Sequence, residues 1–102
     1  MVAAPPYRLL FTQEAASVLA DLGSKAQYET KLKRVRKALG QLQRDPRYPA
    51  LNSHKYSSLH GVNGEDVWDS YVENNTPSAW RIFWHYGPGP DTLTVVTIGP
   101  HP

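Results

Sequence analysis

The side chains best suited to chemistry lie in one segment, AWRIFWHY, at residues 79–86. If this segment is a β-strand, successive side chains point to opposite faces. One face is large and apolar, as expected of a core, and holds Trp80, Ile82, Trp84 and Tyr86. The other face holds Arg81, Phe83 and His85, which combine a permanent cation with an aromatic ring and an imidazole. A planar guanidinium can bind two phosphate oxygens at once, so we expect function on this second face.

Three further side chains could transfer protons. His101 carries an imidazole, which exchanges protons near neutral pH. His85 and Tyr86 could do the same from the strand itself. Each has a structural alternative, because His101 can belong to a frayed terminus and the other two can belong to the core or the surface.

The composition excludes several kinds of site. The chain has 102 residues, which suits one domain. It contains no cysteine, which excludes disulfides and thiolate zinc sites. No two histidines show the spacing of a ligand pair on one helix, so we expect no metal site; the histidines are His54, His60, His85 and His101.

The sequence also indicates a protein without membrane association. No apolar run approaches the roughly 20 residues of a membrane-spanning helix. The start, MVAAPPYRLL, has neither the basic region nor the long apolar region of a signal peptide. We therefore expect a soluble, cytoplasmic protein.

Charge is distributed unevenly along the chain. Residues 23–55 contain nine basic residues and two acidic ones. Residues 56–102 contain one basic residue, Arg81, and five acidic ones. Such asymmetry is typical of a protein that binds a polyanion or an acidic protein partner. The alternative is a solvated basic helix without a partner.

The first half of the sequence predicts a strand and two helices. The strand spans Tyr7–Phe11, and Thr12 caps a helix that ends at Gly23. A capping-box pattern begins a second helix at Ser24, which runs to about Arg44. Its apolar stripe consists of Tyr28, Leu32, Val35, Leu39 and Leu42. The short connection predicts an antiparallel helical hairpin.

The second half predicts a loop followed by three strands. Residues 47–64 have mixed polarity and predict a long loop that can hold a short strand around Tyr56–Leu59. The strands are predicted at Val67–Val72, Ala79–Tyr86 and Thr92–Ile98, with turns at Asn74–Pro77 and Gly87–Asp91. Short turns make them antiparallel neighbours. The pattern β-α-α-β-β-β predicts an α+β fold with the helical hairpin on one face of an antiparallel sheet.

This order of elements resembles the RelE/ParE superfamily of bacterial type II toxins over nearly the whole chain. Three motifs carry the resemblance: Leu59-His60-Gly61, Trp80-Arg81-Ile82-Phe83-Trp84 and the end Thr97-Ile98-Gly99-Pro100-His101-Pro102. In that family a leucine–glycine step precedes a strand, and an arginine between aromatic and aliphatic residues recurs near the start of a later strand. The resemblance implies a RelE-like fold of one domain.

The resemblance implies one of two activities and a protein partner. RelE-like members cleave mRNA on the ribosome without a cofactor, and this branch is favoured here. ParE-like members inhibit DNA gyrase. Both kinds are neutralised by a small antitoxin, so a toxin–antitoxin hetero-oligomer is expected. The alternative is a non-catalytic member that acts by protein binding, either on gyrase or as a degenerate toxin held by its antitoxin.

For a nuclease of this family, the resemblance assigns catalytic roles to residues of this chain. Arg81 would stabilise the charge on the scissile phosphate. His101 matches a C-terminal histidine with a catalytic role, and Lys55 lies near the lysines that precede the loop glycine. His85 or Tyr86 would replace a missing proton-transfer group.

RNA contacts are expected from the basic half of the chain, and two family features are absent. The expected RNA-binding residues are Lys31, Lys33, Arg34, Lys37, Arg47 and His54.

Pro102 stands where a terminal tyrosine follows the histidine in one branch of the family. The stretch with Asp69 lacks the further arginine of many active members. The structural alternative for Arg81 is an ion pair with Asp69 or Glu73 across the sheet.

Overall fold

The structure, a computed structural model, describes residues 6–74 and 78–101, and within these ranges it contains two α-helices and five β-strands. The helices are α1 (Gln13–Gly23) and α2 (Glu29–Arg44). The strands are β1 (Arg8–Phe11), β2 (His54–His60), β3 (Asp66–Tyr71), β4 (Trp80–Tyr86) and β5 (Thr92–Pro100). The predicted α+β class is confirmed. Most of the turn predicted at Asn74–Pro77, together with residues 1–5 and Pro102, lies outside the described residues.

The five strands form one sheet in the order β1-β5-β4-β3-β2. The pairs β2–β3, β3–β4 and β4–β5 are antiparallel. The predicted three-strand meander is therefore formed by β3, β4 and β5, with β4 as its central strand. β1 is parallel to β5, with Leu9 beside Leu93. The sheet is therefore mixed rather than purely antiparallel, because the first strand joins the edge formed by the last one.

The prediction of a long loop at residues 47–64 holds only in part, because the short strand expected around Tyr56–Leu59 is longer and spans His54–His60. His54–His60 forms β2, which pairs with β3 and carries an irregularity between Lys55 and His60. β2 lies at the edge of the sheet, and five of its seven residues are exposed. An edge strand of this kind has no apolar alternation to mark it in the sequence.

The first helix begins as predicted, and the second does not. Thr12 caps α1 by accepting a backbone N–H with its side chain. Ser24 terminates α1 instead of starting α2, and its hydroxyl donates to the carbonyl oxygen of Asp21. A 3₁₀ turn follows, so α2 starts only at Glu29. Because Ser24 is used as a C-terminal cap, the predicted capping box does not form.

The core lies between the two helices and one face of the sheet. The helices contribute Ala15, Leu22, Val35, Ala38, Leu39 and Leu42. The sheet contributes Ile82, Trp84, Leu93, Val95 and Ile98. The apolar face predicted for β4 therefore packs on the helical hairpin. Neither helix of the described chain is long and apolar enough to cross a membrane.

A bulge in β5 keeps this apolar face continuous. Trp84 pairs with Val95 and Phe83 pairs with Thr97, so β5 has one extra residue between them. The extra residue shifts the alternation of β5, and Ile98 therefore points to the core like Val95. β4 itself alternates without interruption, which places Arg81 on the face away from the helices.

An ion-pair cluster at Glu73 ties α2 to the end of the β3–β4 hairpin. The Glu73 carboxylate lies 2.6 Å from Lys31 Nζ and 2.9 Å from Arg34 Nη1. It also accepts the backbone N–H of Trp80 at 3.2 Å, and its side chain is only 13% exposed. Burial opposes its charge, but the hydrogen bonds from these groups outweigh burial and hold the pKa of Glu73 below its usual 4.5.

Replacing Glu73 by glutamine should lower the free energy of unfolding at pH 7 by about 1–2 kcal/mol, because Lys31 and Arg34 lose a shared partner. Because the pKa of Glu73 is lower in the folded state than the unfolded value of 4.5, its charge stabilises the fold fully above pH 4.5. This stabilisation is lost as the pH falls through the folded-state pKa. The difference between the two proteins should therefore shrink in acid.

Urea unfolding at a series of pH values measures this difference. Glu14→Gln is the matched control, since Glu14 is exposed in the first turn of α1. Its expected effect is below about 0.5 kcal/mol. A Glu73→Gln protein as stable as wild type at pH 7 would contradict the assigned role of the cluster.

Candidate active site

Four polar side chains meet on the sheet face opposite the helices, and we call them the Asp69 cluster: His54, Asp69, Arg81 and His101. Asp69 on β3 pairs with His54 on β2, while Tyr71, the next residue on that face of β3, pairs with Arg81 on β4. Directly paired residues of an antiparallel sheet share a face. His101 follows β5, and its backbone N–H donates to the carbonyl oxygen of Ala79 at 3.0 Å. Backbone pairing therefore brings the four together.

Asp69 is the centre of this cluster, with a side chain that is 0% exposed. Its Oδ1 lies 3.4 Å from Arg81 Nη1. Its Oδ2 lies 3.6 Å from His54 Nε2 and 3.5 Å from His101 Nε2. The imidazoles are 46% and 41% exposed, whereas the Arg81 side chain is 13% exposed. The structural alternative for Arg81, an ion pair with Asp69, is formed, and both imidazoles remain open to solvent.

Two buried atoms of the cluster have unused hydrogen-bonding capacity. Within the described part of the chain, Asp69 Oδ2 and Arg81 Nε are buried without a hydrogen-bond partner. Buried polar atoms of this kind are uncommon in folded proteins and call for an explanation. Asp69 Oδ2 can accept from a hydroxyl group, and Arg81 Nε can donate to an anionic oxygen. A phosphodiester with a neighbouring hydroxyl offers both groups.

Aromatic rings contact two side chains of the Asp69 cluster, Arg81 and His101. The Arg81 guanidinium carbon lies 3.7 Å from the centre of the Tyr71 ring, within the range of a cation–π contact. Tyr56 contacts Phe83 and the His101 imidazole, with ring centres 5.1 Å and 6.0 Å apart. These rings limit the orientations available to Arg81 and His101.

Three predicted catalytic residues lie elsewhere. Tyr86 belongs to the face of β4 that packs on the helices, opposite to Arg81, and its ring contacts Trp84. Burial raises the pKa of the Tyr86 hydroxyl above its usual value, which keeps it protonated. Lys55 pairs with Asp66 at 3.1 Å near the sheet edge. His85 shares the face of Arg81 but is buried beside Glu65.

The surroundings of His85 are those of a structural histidine. Its Nδ1 lies 2.8 Å from the carbonyl oxygen of Tyr86, and its Nε2 lies 4.0 Å from Glu65 Oε2. Backbone N–H groups of Glu65 itself and of Asn63 lower the pKa of the Glu65 carboxyl, and His85 adds to this effect. A Cβ on Gly61 would lie 2.3 Å from Glu65 Oε1, so the predicted leucine–glycine step allows this loop to close over His85.

The basic residues predicted to bind RNA fall into three groups. Lys31 and Arg34 are used in the Glu73 ion pairs. Lys33, Lys37 and Arg47 are exposed. α2 packs on the sheet face opposite to Arg81, so the cations on that helix are separated from the Asp69 cluster by the sheet. Only His54 of this set belongs to the cluster.

Sequence reasoning missed part of the site. It treated Asp69 only as an alternative ion-pair partner of Arg81, and it assigned His54 to RNA binding. The signal that could have found both is the alternation His54–Tyr56 on a strand beside β3, which requires β2 to be recognised.

Open clefts also lie elsewhere on the described surface. One, of about 710 Å³, is lined by aromatic residues that include Tyr48, Trp68 and Tyr86. Another, of about 500 Å³, lies between α2 and the end of β3, beside Lys37 and Glu73. In residues 6–74 and 78–101, no group of three histidine or acidic side chains is arranged to hold a metal ion.

The fold is similar to that of several solved toxins. No protein-family model matches the sequence, and no curated protein sequence matches it. The RelE of the Pyrococcus horikoshii RelE–RelB complex matches with a TM-score of 0.64 and 14% identity, over 93% of this chain and 94% of that one. The YoeB/ParE toxin of Agrobacterium tumefaciens matches with a TM-score of 0.67 and 12% identity, over 93% and 99%. YafQ of the Escherichia coli DinJ–YafQ complex matches with a TM-score of 0.55 and 15% identity, over 93% of both chains. The chain therefore has the fold of RelE/ParE-like toxins.

Proposed function

We propose that the chain is the toxin of a type II toxin–antitoxin pair and that it cleaves mRNA on the ribosome. One observation carries the nuclease assignment: two solvent-open imidazoles and a guanidinium converge on the buried carboxylate of Asp69. Cleavage of RNA without a cofactor requires a base, a cation at the phosphate and an acid. His54, His101 and Arg81 provide side chains of these three kinds.

The reaction would run through the neighbouring hydroxyl of the RNA. One imidazole removes the proton of the 2′-hydroxyl, and the resulting oxygen attacks the adjacent phosphorus. Arg81 stabilises the charge that develops on the phosphate oxygens. The second imidazole, in its protonated form, donates a proton to the departing 5′-oxygen. The products are a 2′,3′-cyclic phosphate and a 5′-hydroxyl end.

The proposed partner is a small antitoxin. Among the solved structures with this fold, RelE is in complex with RelB, and YafQ is in a toxin–antitoxin complex with DinJ. The exposed cations Lys33, Lys37 and Arg47 would contact an acidic antitoxin segment or the ribosomal RNA backbone. Action on translating ribosomes implies the cytoplasm as the place of activity.

The direct test adds the purified chain to a translating extract and maps the 3′ ends of a defined mRNA. We expect cuts in the ribosome-bound message that carry cyclic phosphate ends. His54→Gln and His101→Gln should each remove them, since each removes one proton-transfer group. Lys25→Gln is the control that should retain cleavage, because Lys25 is exposed before α2 and lies outside both the Asp69 cluster and the expected RNA-binding set. Absence of cuts in ribosome-bound message would reject the nuclease assignment.

A second function, protein binding without catalysis, is favoured by a different observation. Arg81 is already paired with Asp69 and is 13% exposed, so part of its charge is neutralised before any phosphate arrives. Such a protein would inhibit gyrase or serve as a degenerate toxin held by its antitoxin. Loss of supercoiling by purified gyrase identifies the first form, and normal growth on induced expression identifies the second.

A further inference from the structure

One oxygen of Asp69 faces two imidazoles at almost equal distances. Asp69 Oδ2 lies 3.6 Å from His54 Nε2 and 3.5 Å from His101 Nε2. The same oxygen is buried and accepts no hydrogen bond from the described residues. The other oxygen faces Arg81, so Oδ2 is the one that serves the histidines. The arrangement places a single negative atom between two groups that can each carry one proton.

The hydrogen positions on His54 follow from its second nitrogen. His54 Nδ1 lies 2.9 Å from the backbone carbonyl oxygen of Asn52, which can only accept. Nδ1 therefore carries a hydrogen. Without a second proton, the lone pair of Nε2 would face a carboxylate oxygen, which is electrostatically unfavourable. A proton on Nε2 would remove this conflict.

The charges around the cluster favour one such proton over two. Asp69 is balanced by Arg81 from β4, while Tyr71 from β3 and Tyr56 from β2 add no charge. A first proton on either imidazole is stabilised by the carboxylate. A second proton would place another cation beside Arg81 and the first imidazolium, which disfavours it.

We propose that Asp69 couples the two imidazoles, so that His54 and His101 share one proton and hold opposite protonation states near neutral pH. This deepens the proposed nuclease function and rests on it for its catalytic meaning, because cleavage requires a neutral imidazole as base and a protonated one as acid at the same time. Asp69 would act through the histidines and would be a positioning residue.

The test is a titration of the histidine ring protons by NMR in the full chain, which requires no nuclease activity. In His101→Gln, the titration midpoint of His54 should move to higher pH by about half a unit or more, since a competing cation is removed. In Asp69→Asn, the midpoints of both should move to lower pH by about one unit, because the carboxylate no longer stabilises either imidazolium.

Asp66→Asn is the matched control, because it makes the same change on the same strand. Asp66 is 58% exposed and faces Lys55 rather than a histidine of the cluster. It should leave both midpoints unchanged. His60, exposed at the end of β2, serves as internal reference in the spectra of wild type, His101→Gln and Asp69→Asn, but not of Asp66→Asn, because it pairs with Asp66 across the strands.

The His101→Gln variant is expected to fold, because it changes an exposed side chain after the last strand. The test therefore does not depend on the folding of Asp69→Asn. If His54 titrates identically in wild type and in His101→Gln, the coupling is overturned, whether or not the protein cleaves RNA. If the midpoints move as expected but no mRNA is cut, the coupling stands and only the nuclease function fails.

Discussion

Replacing Arg81 by lysine should lower the rate of mRNA cleavage by about 100-fold, the loss typical of removing one donor to a developing oxyanion. Lysine keeps the positive charge beside Asp69 but replaces the planar fork by a single ammonium group. The contact of the guanidinium with the Tyr71 ring, at 3.7 Å, is weakened as well. Single-turnover cleavage of ribosome-bound mRNA at saturating enzyme measures the loss in the chemical step.

Lysine is preferable to alanine at this position because Asp69 is fully buried. Removing the charge of Arg81 would leave a buried carboxylate without its cation, at a cost of about 3–5 kcal/mol, and the protein could unfold. Arg36→Lys on the exposed side of α2 is the matched control and should cleave like wild type. Unchanged cleavage by a folded Arg81→Lys protein would show that the guanidinium does not act on the phosphate.

Replacing Trp84 by alanine should lower the free energy of unfolding by about 3–5 kcal/mol, the range for deleting a large buried aromatic side chain. Trp84 is 1% exposed, and its ring stacks on Trp68 with centres 6.3 Å apart. Its Nε1–H donates to Ser70 Oγ at 2.7 Å, and Ser70 is itself buried. The substitution would leave a cavity and remove one of the two hydrogen bonds at Ser70 Oγ, which also lies 2.6 Å from Ser53 Oγ. Urea unfolding followed by circular dichroism measures the change.

The neighbouring Trp68→Ala is the control for this prediction. Trp68 belongs to the same stack but is only partly buried against the core, so its loss should cost less than that of Trp84. Trp84→Phe keeps most of the ring and removes the N–H donor, and should fall between wild type and Trp84→Ala. If Trp68→Ala were the more damaging change, the central place of Trp84 in the core would be wrong.

The parts of the fold that follow from the sequence are those with a strong apolar period. The apolar stripe of α2 and the alternation of β4 specify which side chains face the core. The buried positions of Val35, Leu39 and Ile82 agree with these two patterns. The start of α2 could not be derived in this way, because Ser24 suits the end of one helix as well as the beginning of the next. Only a short strand around Tyr56–Leu59 was expected within β2, and its extension to His54 was not recognisable because an exposed edge strand needs no apolar face.

Only the part of the site that lies on β4 could be predicted from the sequence. Arg81 followed from β4 alone, and its ion pair with Asp69 was one of two alternatives at the sequence level. His54 could not be placed beside Asp69 without β2, since contacts between strands depend on register. The position of His101 depends on the extension of β5 to Pro100, which pairs with Trp80.

Because β4 faces the helices on one side and the Asp69 cluster on the other, its consecutive codons are under different kinds of selection. Ile82 and Trp84 must fill volume beneath the helices, whereas Arg81 between Trp80 and Ile82 must keep a charge and a shape. A lineage that lost its activity but kept its fold could replace Arg81 only together with its buried partner Asp69, and would remain constant at Ile82 and Trp84. Natural variation along this one strand would therefore record whether descendants of the gene still use the site.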